Sequence, residues 1–274
     1  MILIDNIKHA CASCIKGHRS SSCQHKDRHL LPIRRKGRPI SQCDQCREER
    51  KKRRVHQKCS CSSKKGMYTT ENSRVDIANK SSCLVDFIDM PITYSNKDLN
   101  VIIEYHDISQ MTIELKEWAF NLVKSNLYHL YRKSNDGWNA LEKKAEMSTP
   151  EARYLIARSA SDPNILYGFL LFQMVTEETM DDDVMAEVAY CYELQLVESA
   201  RNYGLGEYFM KLLAEIGNHW KMDKMMLTVF KSNKGAFRFY KKLGFELDEI
   251  SPSACLSALQ ARKFDYEILS KKCS

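Results

Sequence analysis

The sequence predicts an α/β (α+β) body, in which strands alternate with amphipathic helices, behind a small irregular head held together by metal rather than by a core. Three observations carry that expectation. Seven of the chain's eleven cysteines fall within the first 61 of 274 residues. Residues 1–65 hold 18 Lys and Arg against 5 Asp and Glu, leaving 24 against 30 for the remainder, so a cationic head precedes a mildly acidic body. From Asn100 onward, apolar residues recur at strand and helix periods. Only the head is charged to meet a polyanion. The length suits a small module plus one domain with a full core.

No apolar stretch approaches the roughly 20 residues that span a bilayer. The N-terminus, with Asp5, Lys8 and His9 so early, lacks the apolar run of a signal peptide. The expectation is a soluble, intracellular protein with no membrane partner. In a reducing compartment, clustered cysteines serve as metal ligands, while the scattered Cys83, Cys191, Cys255 and Cys273 read as ordinary thiols.

In the head, Cys11-x2-Cys14 and the pair Cys23 and His25 supply four ligands for a closed tetrahedral zinc site, which would organise a segment too short and polar to build a core. His9, His18 and His29 read as surface or phosphate-facing residues. Cys43-x2-Cys46 and Cys59-x-Cys61 flank a very basic stretch, Arg47 to Arg54. The C-x-C spacing suits copper(I), with a second zinc as the competing ion. Between the two sets, Arg34 to Pro39 makes a narrow cationic strip, Lys36-Gly37-Arg38-Pro39 at its end, of a kind that fits an A·T-rich minor groove or serves as a solvated basic loop. Taken together, the run from Met1 to Lys52 resembles the copper-fist DNA-binding domain of fungal copper-responsive transcription factors over about residues 1–61. That resemblance implies zinc at Cys11, Cys14, Cys23 and His25, DNA contact by Lys36, Gly37, Arg38 and Pro39, and copper(I) at the later cysteines. Full copper clusters carry further cysteine pairs, whereas this chain turns to Ser62, Ser63 and Lys64.

Residues 62–82, rich in Ser, Lys and Asn, read as a linker to a body over 83–274. Lys51-Lys52-Arg53-Arg54 also fits a nuclear-localisation cluster. Val101 to Tyr105 reads as a strand, and Thr112 to Tyr131 as a helix with Ile113, Leu115, Trp118, Ala119, Leu122 and Val123 apolar. Tyr154 to Ala157 and Tyr167 to Val175 read as paired strands turning at Asp162-Pro163-Asn164, and Glu177 to Asp183 as an acidic loop. Val188 to Leu196 is a strand and Arg201 to Gly206 a turn. Leu205, Phe209, Leu212, Leu213 and Ile216 then mark one face of a helix. Glycines at such a turn let backbone N–H groups approach a pyrophosphate at the positive end of a helix.

The Arg-x-x-Gly-x-Gly turn resembles the acetyl-CoA loop of the GNAT acetyltransferases. The wider set VAYCYELQL, RNYGLG, KMMLTVFKSNKGAFRFYKKLGFELDEISPS and YEILSKK resembles the NatD-type N-terminal acetyltransferases, from about Ile92 to the C-terminus. This implies a mixed sheet flanked by helices, acetyl-CoA as cofactor and core-histone N-terminal tails as substrate. It implies a catalytic Glu193 with Tyr192, Tyr190 nearby. Cofactor contacts would come from Leu194, Gln195, Leu196, Arg201, Asn202, Tyr203, Gly204, Leu205, Gly206, Glu207 and Asn233. Substrate contacts would come from Tyr131, Glu177, Tyr192, Thr228 and Tyr266, and Trp138 matches a family tryptophan. Tyr240 sits where many GNAT proteins carry a thiolate-protonating tyrosine.

The sequence departs from the family where an Asp-x-Glu patch becomes Val175-Thr176-Glu177, where a serine becomes Ile250 beside Ser251, and where the loop before the catalytic strand lengthens. Strict alternation along a strand would turn Glu193 away from Tyr190 and Tyr192, so gathering all three requires a β-bulge or a site reached from both faces. The expected protein is a nuclear, DNA-tethered N-α-acetyltransferase. The alternatives are a copper-responsive transcription factor with a catalytically silent body, or two neighbouring genes read as one.

Overall fold

The computed structural model describes residues 2–4, 7–11, 30–32, 73–81, 83–181 and 184–273, in two units, Met1–Arg38 and Pro39–Ser274. In the first unit, β1 (Ile2–Ile4), β2 (Ile7–Cys11) and β3 (Leu30–Pro32) form an antiparallel sheet in that order. Cys11 closes β2 opposite Leu30. Cys14, Cys23, His25, Cys43, Cys46, Cys59, Cys61 and the Lys36–Pro39 strip lie outside the described residues.

Among the described residues, the second unit's first element is α1 (Arg74–Lys80), inside the segment read as linker. This corrects that reading. Ser73 caps the helix, Val75 and Ala78 enter the main core, and Arg74 bonds Glu187 and Asp223 far along the chain. Next come β4 (Ile92–Asn96), β5 (Leu99–Asp107), α2 (Ile113–Tyr131), α3 (Ala140–Glu146), β6 (Arg153–Ser159) and β7 (Leu166–Glu178). They are followed by β8 (Met185–Leu196), a 3-10 turn at Glu198–Ala200, α4 (Leu205–His219), β9 (Lys224–Phe230) and α5 (Lys234–Lys242). The chain ends with β10 (Glu246–Leu247), α6 (Pro252–Cys255), α7 (Ala258–Ala261) and β11 (Tyr266–Lys272).

Eight strands form one sheet in the order β10-β11-β9-β8-β7-β6-β5-β4. Every pairing is antiparallel except β8 with β9. The helix expected over 112–131 is present, with the Thr112 side chain accepting the Leu115 N–H as its cap. The acidic segment is shorter than expected, because Glu177 and Glu178 pair with Ala186 and Met185 and extend the hairpin.

Alternation along the strands separates two faces. On one, Leu155, Ala157, Leu170, Phe172 and Cys191 pack against Phe209, Leu213 and Ile216 of α4, with α1 beside them. On the other, α2 covers Tyr154, Ile156, Phe169 and Leu171, while a smaller cluster of Val188, Met226, Ile250 and Ile268 lies further along the sheet. Tyr192 packs on the first of these two clusters and Tyr190 on the second. Their meeting place is the site.

Candidate active site

Opposite β7, Leu171 faces Glu193 but Phe172 faces Cys191, so Tyr192 is an extra residue with no counterpart. This β-bulge resets the alternation. Leu194 and Leu196 pack on the α4 side, whereas Glu193 and Gln195 join Tyr190 and Tyr192 on the other. Of the two expected routes, a bulge or a site reached from both faces, the bulge is present. At the same point β8 loses its second neighbour. Pairing with β9 ends at Cys191 and Leu227, although β8 runs to Leu196 and β9 to Phe230. Beyond Cys191, the β9-facing edge of β8 has no partner strand among the described residues, and its backbone groups there can bind a ligand.

Glu193 is 5% exposed, and both its oxygens are engaged. Oε1 accepts from Lys143 Nζ at 2.9 Å and Oε2 from Gln195 Nε2 at 2.7 Å. Lys143 also bonds Oε1 of Glu146 at 2.8 Å and lies 5.2 Å from the Tyr131 ring centre. Burial opposes its charge, but Glu193 and Glu146 outweigh that and hold its pKa well above the ordinary lysine value. Gln195 is gripped in turn by Asn126 Nδ2 at 2.9 Å, and Asn126 Oδ1 accepts from Arg201 Nη2 at 2.7 Å. A continuous polar chain thus joins the carboxylate to the start of the glycine turn.

The aromatic wall is built from distant segments. Tyr131 meets Trp138 at 5.3 Å and Phe230 at 4.9 Å between ring centres, and Phe230 pairs with Tyr266 across β9 and β11. Tyr190 and Tyr192 stand 4.9 Å apart, and the Tyr190 hydroxyl shares a 2.6 Å hydrogen bond with Thr228 Oγ1. Burial pushes the Tyr131 hydroxyl up to about 12. Burial also raises Tyr192, reinforced by the negative charges of Glu177, Glu146 and Glu151. Both hydroxyls therefore stay protonated near neutrality. The surviving Glu177 of the altered patch is accompanied by two carboxylates from α3 and the loop after it, a grouping no spacing in the sequence reveals.

The turn before α4 has the form expected of an anion cradle. Asn202 and Gly204 have φ of 66° and 77°, and Gly204 begins α4 without a side-chain cap, which leaves first-turn N–H groups for a ligand. Tyr94 and Asn96 of β4 hold the turn by donating to the Tyr203 carbonyl at 2.7 and 2.9 Å. A Cβ on Gly204 would lie 2.7 Å from the Tyr94 hydroxyl oxygen. Leu205 and Gly206 are buried in the first turn of α4, where Glu207 also sits. This arrangement fits the diphosphate of a nucleotide-bearing cofactor.

Three residues take places the sequence did not suggest. The Arg201 guanidinium turns to Asn126 and the Leu196 carbonyl. Asn233 caps α5, its side chain accepting the Ala236 N–H. Tyr240 is 8% exposed in the core, where burial, with Cys191 and Glu193 near it, holds its hydroxyl pKa well above the ordinary value. Lys143, Asn126 and Phe230 were missed altogether. Lys143 lies in a Glu-Lys-Lys run that reads as a solvated helix face.

Comparison with known proteins follows these two units. Residues 2–40 match the model described as the copper fist DNA binding domain, and residues 118–245 match the acetyltransferase (GNAT) family. The metal-binding regulatory protein cuf1 of Schizosaccharomyces pombe is 52% identical over 90 residues, covering 31% of this chain and 22% of that protein. The copper resistance protein CRF1 of Yarrowia lipolytica is 52% identical over 63 residues, covering 23% of this chain and 15% of that protein. The chain thus spans less than a quarter of the length of these relatives. Among solved structures, a chain of the NatC complex bound to Gag peptide and CoA is 14% identical, with a TM-score of 0.41, covering 63% of this chain and 99% of that one. Ard1 from Thermoplasma volcanium is 14% identical, with a TM-score of 0.42, covering 63% and 98%. Among the described residues, no helix is long and apolar enough to cross a membrane.

Proposed function

We propose that this chain, which carries a copper-fist domain ahead of a GNAT acetyltransferase domain, is an N-α-acetyltransferase acting on core-histone tails that begin Ser-Gly-Arg-Gly. The observation that carries the reading is the Tyr192 bulge. It turns Glu193 toward Tyr190 and Tyr192 where β8 parts from β9.

Acetyl-CoA, when bound, supplies an acetyl group activated as a thioester. The first-turn amides of α4, with Asn202, Tyr203, Gly204, Leu205, Gly206 and Glu207, would hold its diphosphate, and Asn233 would support the neighbouring α5 end. The open edge of β8 at Leu194, Gln195 and Leu196 would take its amide-bearing arm. Tyr131, Tyr192, Thr228 and Tyr266 would line the peptide path, and Glu177 with Glu146 and Glu151 favours a cationic peptide end. The α-amino group has a pKa of about 7.7–8.0, so only modest assistance is needed to present it uncharged. Glu193 would take the amine proton directly or through water, and the Tyr192 hydroxyl, which burial keeps protonated at neutral pH, would be available beside it as a proton donor.

In the head, Cys11, Cys14, Cys23 and His25 would bind zinc and the later cysteines copper(I). Lys36, Gly37, Arg38 and Pro39 would enter A·T-rich DNA, placing the enzyme in the nucleus near its substrate. Such tethering raises local substrate concentration without altering the active site. If about six phosphates are neutralised, DNA affinity falls on the order of 10³ between about 50 and 200 mM salt. Arg38→Ala weakens A·T-rich binding most, as a fluorescence titration would show, and unchanged binding refutes the groove contact.

The enzyme reading is tested by acetyl transfer to a Ser-Gly-Arg-Gly peptide with wild type and Glu193→Gln. Equal rates would remove Glu193 from the mechanism. A wild type with no affinity for acetyl-CoA would leave a DNA-binding protein with a silent body.

A further inference from the structure

Helix α3 is seven residues long, and the one residue it buries is Lys143, while its Leu141 is 81% exposed. A helix recruited only to close the core would bury the leucine. Lysine is rarely buried unless paired, and here the pairing is with the carboxylate assigned to proton transfer. We infer that Lys143 is a positioning residue of the reaction: its ammonium, 2.9 Å from Oε1 of Glu193 and 2.8 Å from Oε1 of Glu146, is the cation paired with the buried Glu193 carboxylate and fixes where that carboxylate points.

The surroundings leave Lys143 as the group able to do this. Tyr131, Tyr154, Cys191 and Tyr240 also act electrostatically with Glu193, and burial raises the pKa of each, so all four are neutral near pH 7. Among the described residues, the ion pairs at Glu193 run to Lys143 and, through it, to Glu146. Gln195 contributes a neutral donor on the other oxygen. Removing the ammonium would leave a buried carboxylate without a cation, and such a group binds a proton more readily. A proton on Glu193 abolishes its ability to accept the one from the substrate amine.

This inference rests on Glu193 being the proton acceptor. Its test therefore uses the full chain with the Ser-Gly-Arg-Gly peptide and acetyl-CoA, measuring kcat/KM from pH 6 to pH 8 for wild type, Lys143→Met, Lys143→Arg and Glu193→Gln. The Lys143→Met to wild-type ratio is expected to fall as the pH is lowered from 8 to 6, because a buried carboxylate that has lost its cation takes up a proton more readily. Lys143→Arg, which keeps the charge, is expected to hold its ratio constant. A pH-independent ratio for Lys143→Met would mean a merely structural lysine and overturns the inference. Wild-type rates in Glu193→Gln overturn the base assignment instead, so the two failures are distinct. If Lys143→Met does not fold, wild type decides: its acidic limb should move with the amine pKa when the peptide carries a less basic α-amine. A limb that stays fixed belongs to a group of the enzyme rather than to the amine and refutes the role given to Lys143.

Discussion

Up to Cys191, β8 has β7 on one side and β9 on the other, and Val188 and Ala189 are fully buried. From Tyr192 it keeps β7 but loses β9, and the residues on the face of Tyr190 become Tyr192, Glu193 and Gln195. One strand thus serves two ends. Its paired half contributes burial, and its half-paired end contributes backbone groups without a β9 partner and a carboxylate held by Lys143 and Gln195. A bulge and a lost neighbour, both within two residues, convert a core strand into a site without changing its direction.

The comparison breaks most sharply at Glu193. Glu193→Gln is expected to lower kcat about 10²–10⁴-fold in a protein that still folds, because Glu146 remains beside Lys143. Steady-state kinetics with circular dichroism checks both parts. In the paired half, Phe172 is fully buried opposite Cys191. Phe172→Ala should cost about 3–5 kcal/mol of stability, read by denaturant titration, with kcat retained in the folded fraction. A large loss of kcat there with little loss of stability would dissolve the division between the two halves. Next in size is Gly204→Ala. An L-residue in the left-handed region costs about 1–2 kcal/mol, and the added methyl meets the Tyr94 hydroxyl. The KM for acetyl-CoA should rise while kcat changes little.

The smallest effect concerns pH. Burial of Glu267 disfavours its charge, but hydrogen bonds from Ser251, Ser253 and Lys231 outweigh it and place its pKa below the ordinary value of 4.5. With the folded pKa lowered, the stabilisation is present above the unfolded value and is lost as pH falls through the folded one. Melting temperatures measured from pH 6 downward should show a loss below about pH 4.5 that Glu267→Gln lacks. A parallel decline in both would remove Glu267 as its source.

Much of this architecture is legible in local pattern. Thr112 followed by apolar residues at helical spacing marks α2, and the faces of β8 and α4 follow from periods of two and 3.6. The bulge was recoverable only as a demand, since three residues named for one site could not share a face without it. Helix α1 was hidden because Val75 and Ala78 are its only buried residues and its anchors, Glu187 and Asp223, lie more than a hundred positions away. Lys143 was hidden for a related reason. Its burial depends on Glu193, fifty residues on, and no periodicity reports a long-range ion pair. Local signals fixed the elements, whereas the polar chain from Glu146 to Arg201 exists only after the sheet has assembled.

The central claim is that the half-paired end of β8 acts on an α-amine. The most direct measurement is mass-spectrometric mapping of acetyl groups on a Ser-Gly-Arg-Gly peptide extended by a lysine, after incubation of the full chain with acetyl-CoA. Acetylation on the serine α-nitrogen, abolished in Glu193→Gln, is the expected result. Acetyl on the lysine side chain, or α-acetylation undiminished in Glu193→Gln, would contradict it.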